Sequence, residues 1–309
     1  MFGIKRKIRF AAFTLIVLTI SATIASWLWW QEEINVPPVV VLKIGQVASA
    51  MNIQGTMDVQ TPTKFHKQEH SLSCEIATLK MALQTAGINV PESELIGFLP
   101  FDQTKKENGI WGNPNKGFVG SIDGKMLVDG YGVYWDPIAK VGMRYARTEI
   151  IRNGSLTDIT KHIAAGRPVI VWGNYGRQKM YNWKTSEGDP ITAVNGEHTR
   201  IVTGFSGPAE NPSSFSLIDP LYGPITWSKS KFLSNWSLLG NHGVVVFPYP
   251  RWIRANNDNK VWEISSDGQK RHWVRSWNTF AKRGGFNEAI IEVSPKELNK
   301  YLRGPDIIK

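Results

Sequence analysis

The stretch Lys67–Ala86, KQEHSLSCEIATLKMALQTA, decides the fold predicted for this chain. It holds Cys74, the only cysteine of the protein. Ser71 or Ser73 can cap a helix that starts here. The pattern predicts a core helix with Cys74 at or near its N-terminus, where unpaired amides and the positive end of the helix dipole favour a thiolate. Its apolar residues recur at the spacing of three and four that lines one helix face: Ile76, Leu79, Ala82, Leu83 and Ala86.

Gln68 lies six residues before Cys74, and its side-chain amide could donate a hydrogen bond to an oxyanion beside the sulfur. A lone cysteine is more often a small buried apolar residue than a nucleophile, so these two residues alone decide nothing. Among the histidines near the thiol, His70 is close in sequence but lies in the loop before the helix, with no strand to hold it. We expect the remaining histidines other than His198 to be structural or on the surface: His66, His162, His242 and His272.

The downstream chain supplies a histidine and a carboxylate on predicted strands. His198 leads into one strand, and Asp219 ends the next. A helix capped at Ser155–Asp158 precedes them. Four short runs rich in β-branched and aromatic residues are predicted strands: Pro168–Trp172, Thr199–Phe205, Phe215–Ile218 and Gly243–Phe247. A cysteine-bearing helix followed by strands that carry histidine and aspartate predicts an α+β fold.

The order Gln68, Cys74, His198, Asp219 resembles the papain-like cysteine peptidase domain of the bacteriocin-processing type, found in double-glycine leader peptidases and their free-standing relatives. The resemblance extends over roughly residues 60–248. Glu75 departs from the leader peptidases, which usually have glycine after the cysteine, so the free-standing branch is the better match. Three further motifs carry the resemblance: NPNKGFVG (Asn113–Gly120), PVIVW (Pro168–Trp172) and Asp219-Pro220 followed by a strand and helix that contain tryptophan.

The resemblance implies a papain-like fold, in which an N-terminal helix bearing the cysteine packs on an antiparallel sheet bearing His and Asp. It also implies a peptide or protein substrate. The residues support this chemistry on their own: His198 takes the thiol proton, and Asp219 holds the useful imidazole tautomer. Gln68 and the backbone N–H of Cys74 then hold the oxyanion. Asn195 is the next candidate if Asp219 is not the third residue. We expect no cofactor, and no Cys/His spacing suggests a metal site.

The N-terminus predicts a membrane anchor. Four basic residues precede Phe10–Trp30, an uncharged run of 21 residues that would span about 31 Å as a helix. The basic flank favours the cytoplasm, so the rest of a single-pass protein is expected outside the cell membrane. The alternative is a cleaved signal peptide ending near Ala25. We predict four segments: an anchor (1–33), a linker (34–59), the peptidase domain (60–250) and a basic C-terminal module (251–309).

The net charge of +10 does not indicate nucleic-acid binding, because it is divided as +2, +3 and +5 over residues 1–33, 34–250 and 251–309. The excess in the last segment suggests docking to an anionic cell-envelope polymer, with a purely structural appendage as the alternative. Two other functions remain open. A peptidoglycan-directed amidase or endopeptidase uses the same thiol chemistry, but such relatives commonly lack a glutamine at the position of Gln68. A non-catalytic cell-surface binding protein could keep the fold.

Overall fold

A computed structural model describes residues 58–176, 179–256 and 258–308. The predicted anchor and most of the predicted linker lie outside these residues. The helices, numbered in chain order, are α1 (Cys74–Thr85), α2 (Glu92–Gly97), α3 (Trp135–Gly142), α4 (Leu156–Ala164), α5 (Lys229–Trp236), α6 (Trp277–Lys282) and α7 (Pro295–Leu298), with 3-10 turns at Ser237–Leu239 and Gly285–Asn287.

The strands begin with a short edge segment and continue through both halves of the described chain. They are β1 (Asp58–Gln60), β2 (Phe101–Asp102), β3 (Phe118–Val119), β4 (Thr148–Ile151), β5 (Val169–Asn174), β6 (Met180–Lys184), β7 (Pro190–Val194), β8 (Glu197–Ser206), β9 (Ser214–Asp219), β10 (Gly223–Ser228), β11 (Gly243–Val246), β12 (Trp252–Ala255), β13 (Trp262–Ile264), β14 (Lys270–Trp273), β15 (Ile290–Val293) and β16 (Leu302–Arg303).

A seven-stranded sheet forms the centre of the first half, in the order β10-β9-β8-β5-β11-β4, with β1 paired to β8. All its pairings are antiparallel. Side chains alternate along β5, so Ile170 and Trp172 pack with the side of α1 while Val169 and Val171 pack with α4 and α5. Both faces of the sheet are therefore covered, which explains the nearly uninterrupted apolar run predicted as a strand.

The helix that carries the thiol lies against the strand that carries the histidine. α1 contacts β8 more than any other element, and its Leu79 and Leu83 are fully buried. The mixed α+β class is thereby confirmed. The predicted cap of α4 is also confirmed, because Ser155 and Asp158 form a reciprocal capping box.

Residues 252–303 contain a separate five-stranded sheet, in the order β15-β12-β13-β14-β16. The runs Val261–Ile264 and Arg271–Val274 predict a hairpin, which is present as β13 and β14. Ser276, the candidate cap of the next helix, caps α6. Ser294-Pro295 predicts the start of a last helix that continues through Leu302, and this prediction is wrong: α7 ends at Leu298, and Leu302 begins a strand paired with Lys270. Arg271 donates hydrogen bonds to Leu298 O and Asn299 Oδ1, which fixes the turn that ends the helix.

Two features of the fold were not predicted. β6 and β7 form a hairpin of their own between β5 and β8. β1 adds to the sheet beside Gly204–Ser206, so the predicted linker boundary at residue 60 falls inside a strand. No helix within the described ranges is long and apolar enough to cross a bilayer.

Candidate active site

Cys74 is the first residue of α1 and is 4% exposed. Its backbone N–H therefore has no acceptor within the helix, since the first N–H groups of a helix lack partners one turn back. Ser73 is the N-cap residue, but its hydroxyl does not cap: it donates to Glu92 Oε2 at 2.9 Å. Glu92 Oε1 also lies 2.8 Å from His66 Nε2, so one buried carboxylate holds the loop that leads to the thiol.

His198 and Asp219 meet as the sequence predicted. Nε2 of His198 lies 3.0 Å from Oδ1 of Asp219, and the two side chains are 2% and 1% exposed. Because a carboxylate only accepts, Nε2 carries the proton and Nδ1 is the nitrogen left to exchange a proton with the thiol. Leu221 N also donates to Asp219 Oδ1, at 2.9 Å, which closes the turn after β9.

Arg200 belongs to this group and was not singled out from the sequence. Its Nε lies 2.8 Å from Asp219 Oδ2, and its side chain is buried. Arg200 follows His198 by two residues on β8, so both side chains leave the same face of the strand. That alternation was the available signal. Although burial opposes ionisation, the hydrogen bond from His198 and the charge of Arg200 hold the pKa of Asp219 below its ordinary value.

Gln68 lines the same cavity but is not oriented as an oxyanion donor. Its Nε2 donates to the carbonyl oxygens of His70 (2.8 Å) and Ser71 (3.0 Å). Its Oε1 is buried and lacks a hydrogen-bond partner in the described structure. To hold an oxyanion, the amide must turn so that Nε2 replaces Oε1. The backbone is well placed, because Gln68 N donates to Pro220 O at 3.0 Å and ties this loop to the turn after Asp219.

The thiol is not the preformed thiolate that the helix dipole suggested. Burial, together with the carboxyl groups of Glu75 and Glu197, raises the pKa of Cys74 well above its ordinary value. Cys74 Sγ donates to Glu75 Oε2 at 3.2 Å. Burial also raises the pKa of Glu75 to about 7 and that of Glu197 well above its usual range. The sequence showed Glu75 only as a departure from the leader peptidases.

Burial lowers the pKa of His198, against the opposing effect of its hydrogen bond with Asp219. With the thiol pKa raised and the imidazole pKa lowered, the resting pair is neutral: a thiol and an imidazole. This arrangement is suited to general-base activation of the thiol rather than to a standing ion pair.

The cavity at this site is small, about 50 Å³. Met126 and Tyr131 form part of its wall, and Tyr175 packs edge-on against the His198 ring. Larger clefts of about 280 and 500 Å³ exist elsewhere, but none of their lining residues belongs to the predicted site. We therefore place the active site at the small cavity, because the reactive groups converge there.

The two alternative site residues, His70 and Asn195, form their contacts away from the thiol. His70 Nδ1 lies 2.8 Å from Asp123 Oδ1 on the surface. Asn195 is exposed, and its backbone carbonyl accepts a hydrogen bond from Asn174. Two groups in the described residues have ligand atoms close enough to hold a metal ion: His66 with Glu69 and Glu92, and Cys74 with Glu75 and Glu197.

Comparison with known proteins shows what the chain is similar to. The model of the Peptidase_C39 like family matches residues 60–244. The protein YvpB of Bacillus subtilis (strain 168) is 28% identical over 179 residues, which is 56% of this chain and 68% of YvpB. A Bacillus anthracis chain whose crystal structure is described as C39-like superposes with a TM-score of 0.53 at 26% identity, covering 62% of this chain and 97% of that one. The resemblance predicted from the motifs is confirmed.

Proposed function

Because the chain belongs to the C39-like peptidase family, we propose that it is a cysteine peptidase in which Cys74 attacks the carbonyl carbon of a peptide bond. One observation carries the proposal. His198 lines the same small cavity as the single cysteine, which begins a helix, and it lies 3.0 Å from the buried carboxylate of Asp219. Family membership supports the cysteine-type chemistry, and the geometry supports these particular residues.

The reaction starts from the neutral pair. His198 Nδ1 takes the thiol proton as sulfur attacks, while Asp219 stabilises the imidazolium through Nε2. The imidazolium then gives its proton to the leaving amine, and an acyl-enzyme remains on Cys74. Water, with His198 again as base, attacks the thioester and releases the acid and the free thiol. Arg200 acts through Asp219, because its charge keeps that carboxylate ionised.

The oxyanion is held by the backbone N–H of Cys74 and by Gln68 after its amide has turned. The structure supports the first donor directly, since α1 begins at Cys74. The second is supported by the unpartnered Oε1, which marks where a donating Nε2 would lie once turned. Each such donor typically lowers the barrier by about 3–4 kcal/mol.

We also propose that the peptidase faces outward from a membrane. This rests on the sequence alone, from the basic residues that precede Phe10–Trp30. Fractionation of cells that produce the full chain, with protease added to intact spheroplasts, tests it. Release of the chain from washed membranes by carbonate would count against a spanning anchor.

The activity is tested by incubating the full chain, in detergent, with a casein panel and with purified sacculi. We expect peptide-bond cleavage that disappears in Cys74→Ala and His198→Ala. His70→Ala is the matched control, because its side chain pairs with Asp123 on the surface and it should keep full activity. Release of stem peptides from sacculi alone would assign the chain to wall hydrolysis. Cleavage that persists in Cys74→Ala would refute the proposal.

A further inference from the structure

Two carboxyl groups flank the sulfur from different elements of the fold. Glu75 is the second residue of α1, and Glu197 is the first residue of β8. Cys74 Sγ lies 3.2 Å from Glu75 Oε2, and one ligand atom from each of the three residues lies within 4.8 Å of the others. All three side chains are buried. The mechanism above requires only the cysteine, so the two glutamates need their own explanation.

Glu197 is the less expected of the two. It is 1% exposed, no N–H or O–H donor of the described structure bonds its carboxyl oxygens, and the side chain it pairs with is the carboxyl group of Glu75. The other buried carboxylates nearby are bonded: Glu75 Oε1 accepts from Val133 N at 2.7 Å, and Glu92 accepts from Ser73. Two buried carboxyl groups that face each other cannot both be ionised unless a cation lies between them, and otherwise they must share a proton. This arrangement indicates a site that can exchange its proton for a metal ion.

The surroundings hold the two carboxyl groups together and leave them without a cation. A Cβ at Gly132 would come within 2.6 Å of Glu197 Oε2 and 2.7 Å of Glu75 Oε1, so only glycine lets the backbone pass this close. Arg200 is the nearby guanidinium, but its Nε faces Asp219.

We propose that Cys74, Glu75 and Glu197 bind a zinc ion, and that the bound ion switches the peptidase off. Thiolate and carboxylate are both zinc ligands, and three protein ligands plus water complete the tetrahedral shell that zinc prefers. The thiolate selects zinc over calcium or magnesium, which take oxygen ligands. The cavity of about 50 Å³ beside Cys74 has room for the water ligand.

Binding releases the thiol proton to solvent and commits a sulfur lone pair to the metal. The nucleophile is then blocked until the ion leaves. Removal of zinc by a chelator restores a free thiol without any covalent step. The peptidase would thus be inactive where zinc is plentiful and active where it is scarce.

The test uses Co²⁺ as the spectroscopic substitute for zinc, titrated into the metal-free full chain with dithiothreitol removed. We expect one equivalent to give a near-ultraviolet thiolate-to-cobalt charge-transfer band, which added Zn²⁺ abolishes. Cys74→Ser should lose the band. Glu197→Gln and Glu75→Gln keep shape and should each weaken binding at least about tenfold, since even indirect partners of a metal typically contribute 10–100-fold. Circular dichroism of each variant checks that it is folded.

Two controls separate this site from the alternatives. Glu92→Gln removes a ligand of the other candidate group and should leave the cobalt band unchanged. His198→Ala should bind cobalt as tightly as the wild type. If His198→Ala loses the band while Glu197→Gln and Glu75→Gln keep it, the ion is held by the catalytic pair and the proposal is wrong. Absence of any thiolate band in the folded wild type overturns it as well. None of these readouts requires peptidase activity, so a failure here is distinct from a failure of the proposed function.

Discussion

Replacing Asp219 by asparagine tests the proposed triad most sharply, because the structure assigns this carboxylate two partners. Oδ1 lies 3.0 Å from His198 Nε2, and Oδ2 lies 2.8 Å from Arg200 Nε. Two charges about 4 Å apart interact by about 4 kcal/mol at an effective dielectric constant of about 20. Asparagine keeps one acceptor, so we expect the imidazolium to lose about 3 kcal/mol of stabilisation, roughly 100-fold in turnover.

The same substitution should also destabilise the fold. At the sequence level Asp219 stands at a strand end before proline, and little effect on folding is expected there. The structure contradicts that expectation, because Asp219 is 1% exposed and its loss leaves Arg200 buried without a counter-charge. Removing one partner of a buried ion pair typically costs about 3–5 kcal/mol, and the retained amide oxygen places Asp219→Asn near the lower end.

Two measurements separate the catalytic effect from the structural one. The rate of Cys74 alkylation by iodoacetamide, followed against pH, reports formation of the thiolate with His198 as base, and urea unfolding reports stability. The double variant Asp219→Asn/Arg200→Met should recover most of the lost stability, since neither buried charge is left alone, but not the alkylation rate. The role given to Asp219 would be refuted if Asp219→Asn were alkylated as fast as the wild type. It would also be refuted if the single and double variants were both as active as the wild type.

Three further outcomes follow from contacts already described. Gln68→Ala should lower turnover about 10²–10³-fold, with Gln68→Glu no better because a carboxylate cannot donate; a casein assay near neutral pH measures both. Gly173→Ala should lower the melting temperature, because a Cβ there would lie 1.9 Å from Asn235 Oδ1 and 3.0 Å from the backbone oxygen of Asn235, and thermal melting against a Gly97→Ala control, which meets no neighbour, checks it. Burial lowers the pKa of His162 to about 4, so its contribution to stability is present above pH 6.5 and is lost as pH falls from there through 4. Urea titrations at pH 7.5 and 4 should show a loss of about 3 kcal/mol that is absent in His162→Asn, and an equal loss in both would contradict it.

The parts of the fold that were predicted correctly are those determined by residues close together in the sequence. The apolar spacing in Cys74–Thr85 and the capping box at Ser155 determine their helices within a few residues. β6 and β7 were missed because their hairpin lies outside the main sheet and depends on a distant loop, in which Gly112 O accepts a hydrogen bond from Trp183 Nε1. The helix expected through Leu302 was ended early by Arg271, a contact 27 residues away along the chain.

In the candidate site, too, the identity of the residues followed from local sequence pattern, whereas their protonation and orientation depend on tertiary contacts. Cys74, His198 and Asp219 were predictable because each sits at the end of a recognisable element. The protonation of the thiol was not predictable, because the raised pKa of Cys74 depends first on burial and then on Glu75 and Glu197, and both the burial and the approach of Glu197 come from the packing of α1 on β8. The orientation of Gln68 was likewise inaccessible, since it depends on two carbonyl groups in a loop without periodic pattern.

The distance along the chain between the thiol and its base has a consequence for how the enzyme matures. His198 and Asp219 are brought together by neighbouring strands, 21 residues apart, whereas Cys74 joins them across 124 residues. Contacts between distant segments form slowly, because a long loop must close before they contribute. We expect peptidase activity to return later in refolding than the sheet signal in circular dichroism, and simultaneous recovery would contradict this. Under the proposed mechanism, a nascent or partly unfolded chain carries a histidine–carboxylate pair without its nucleophile, so we expect cleavage of other proteins to begin only when folding is complete.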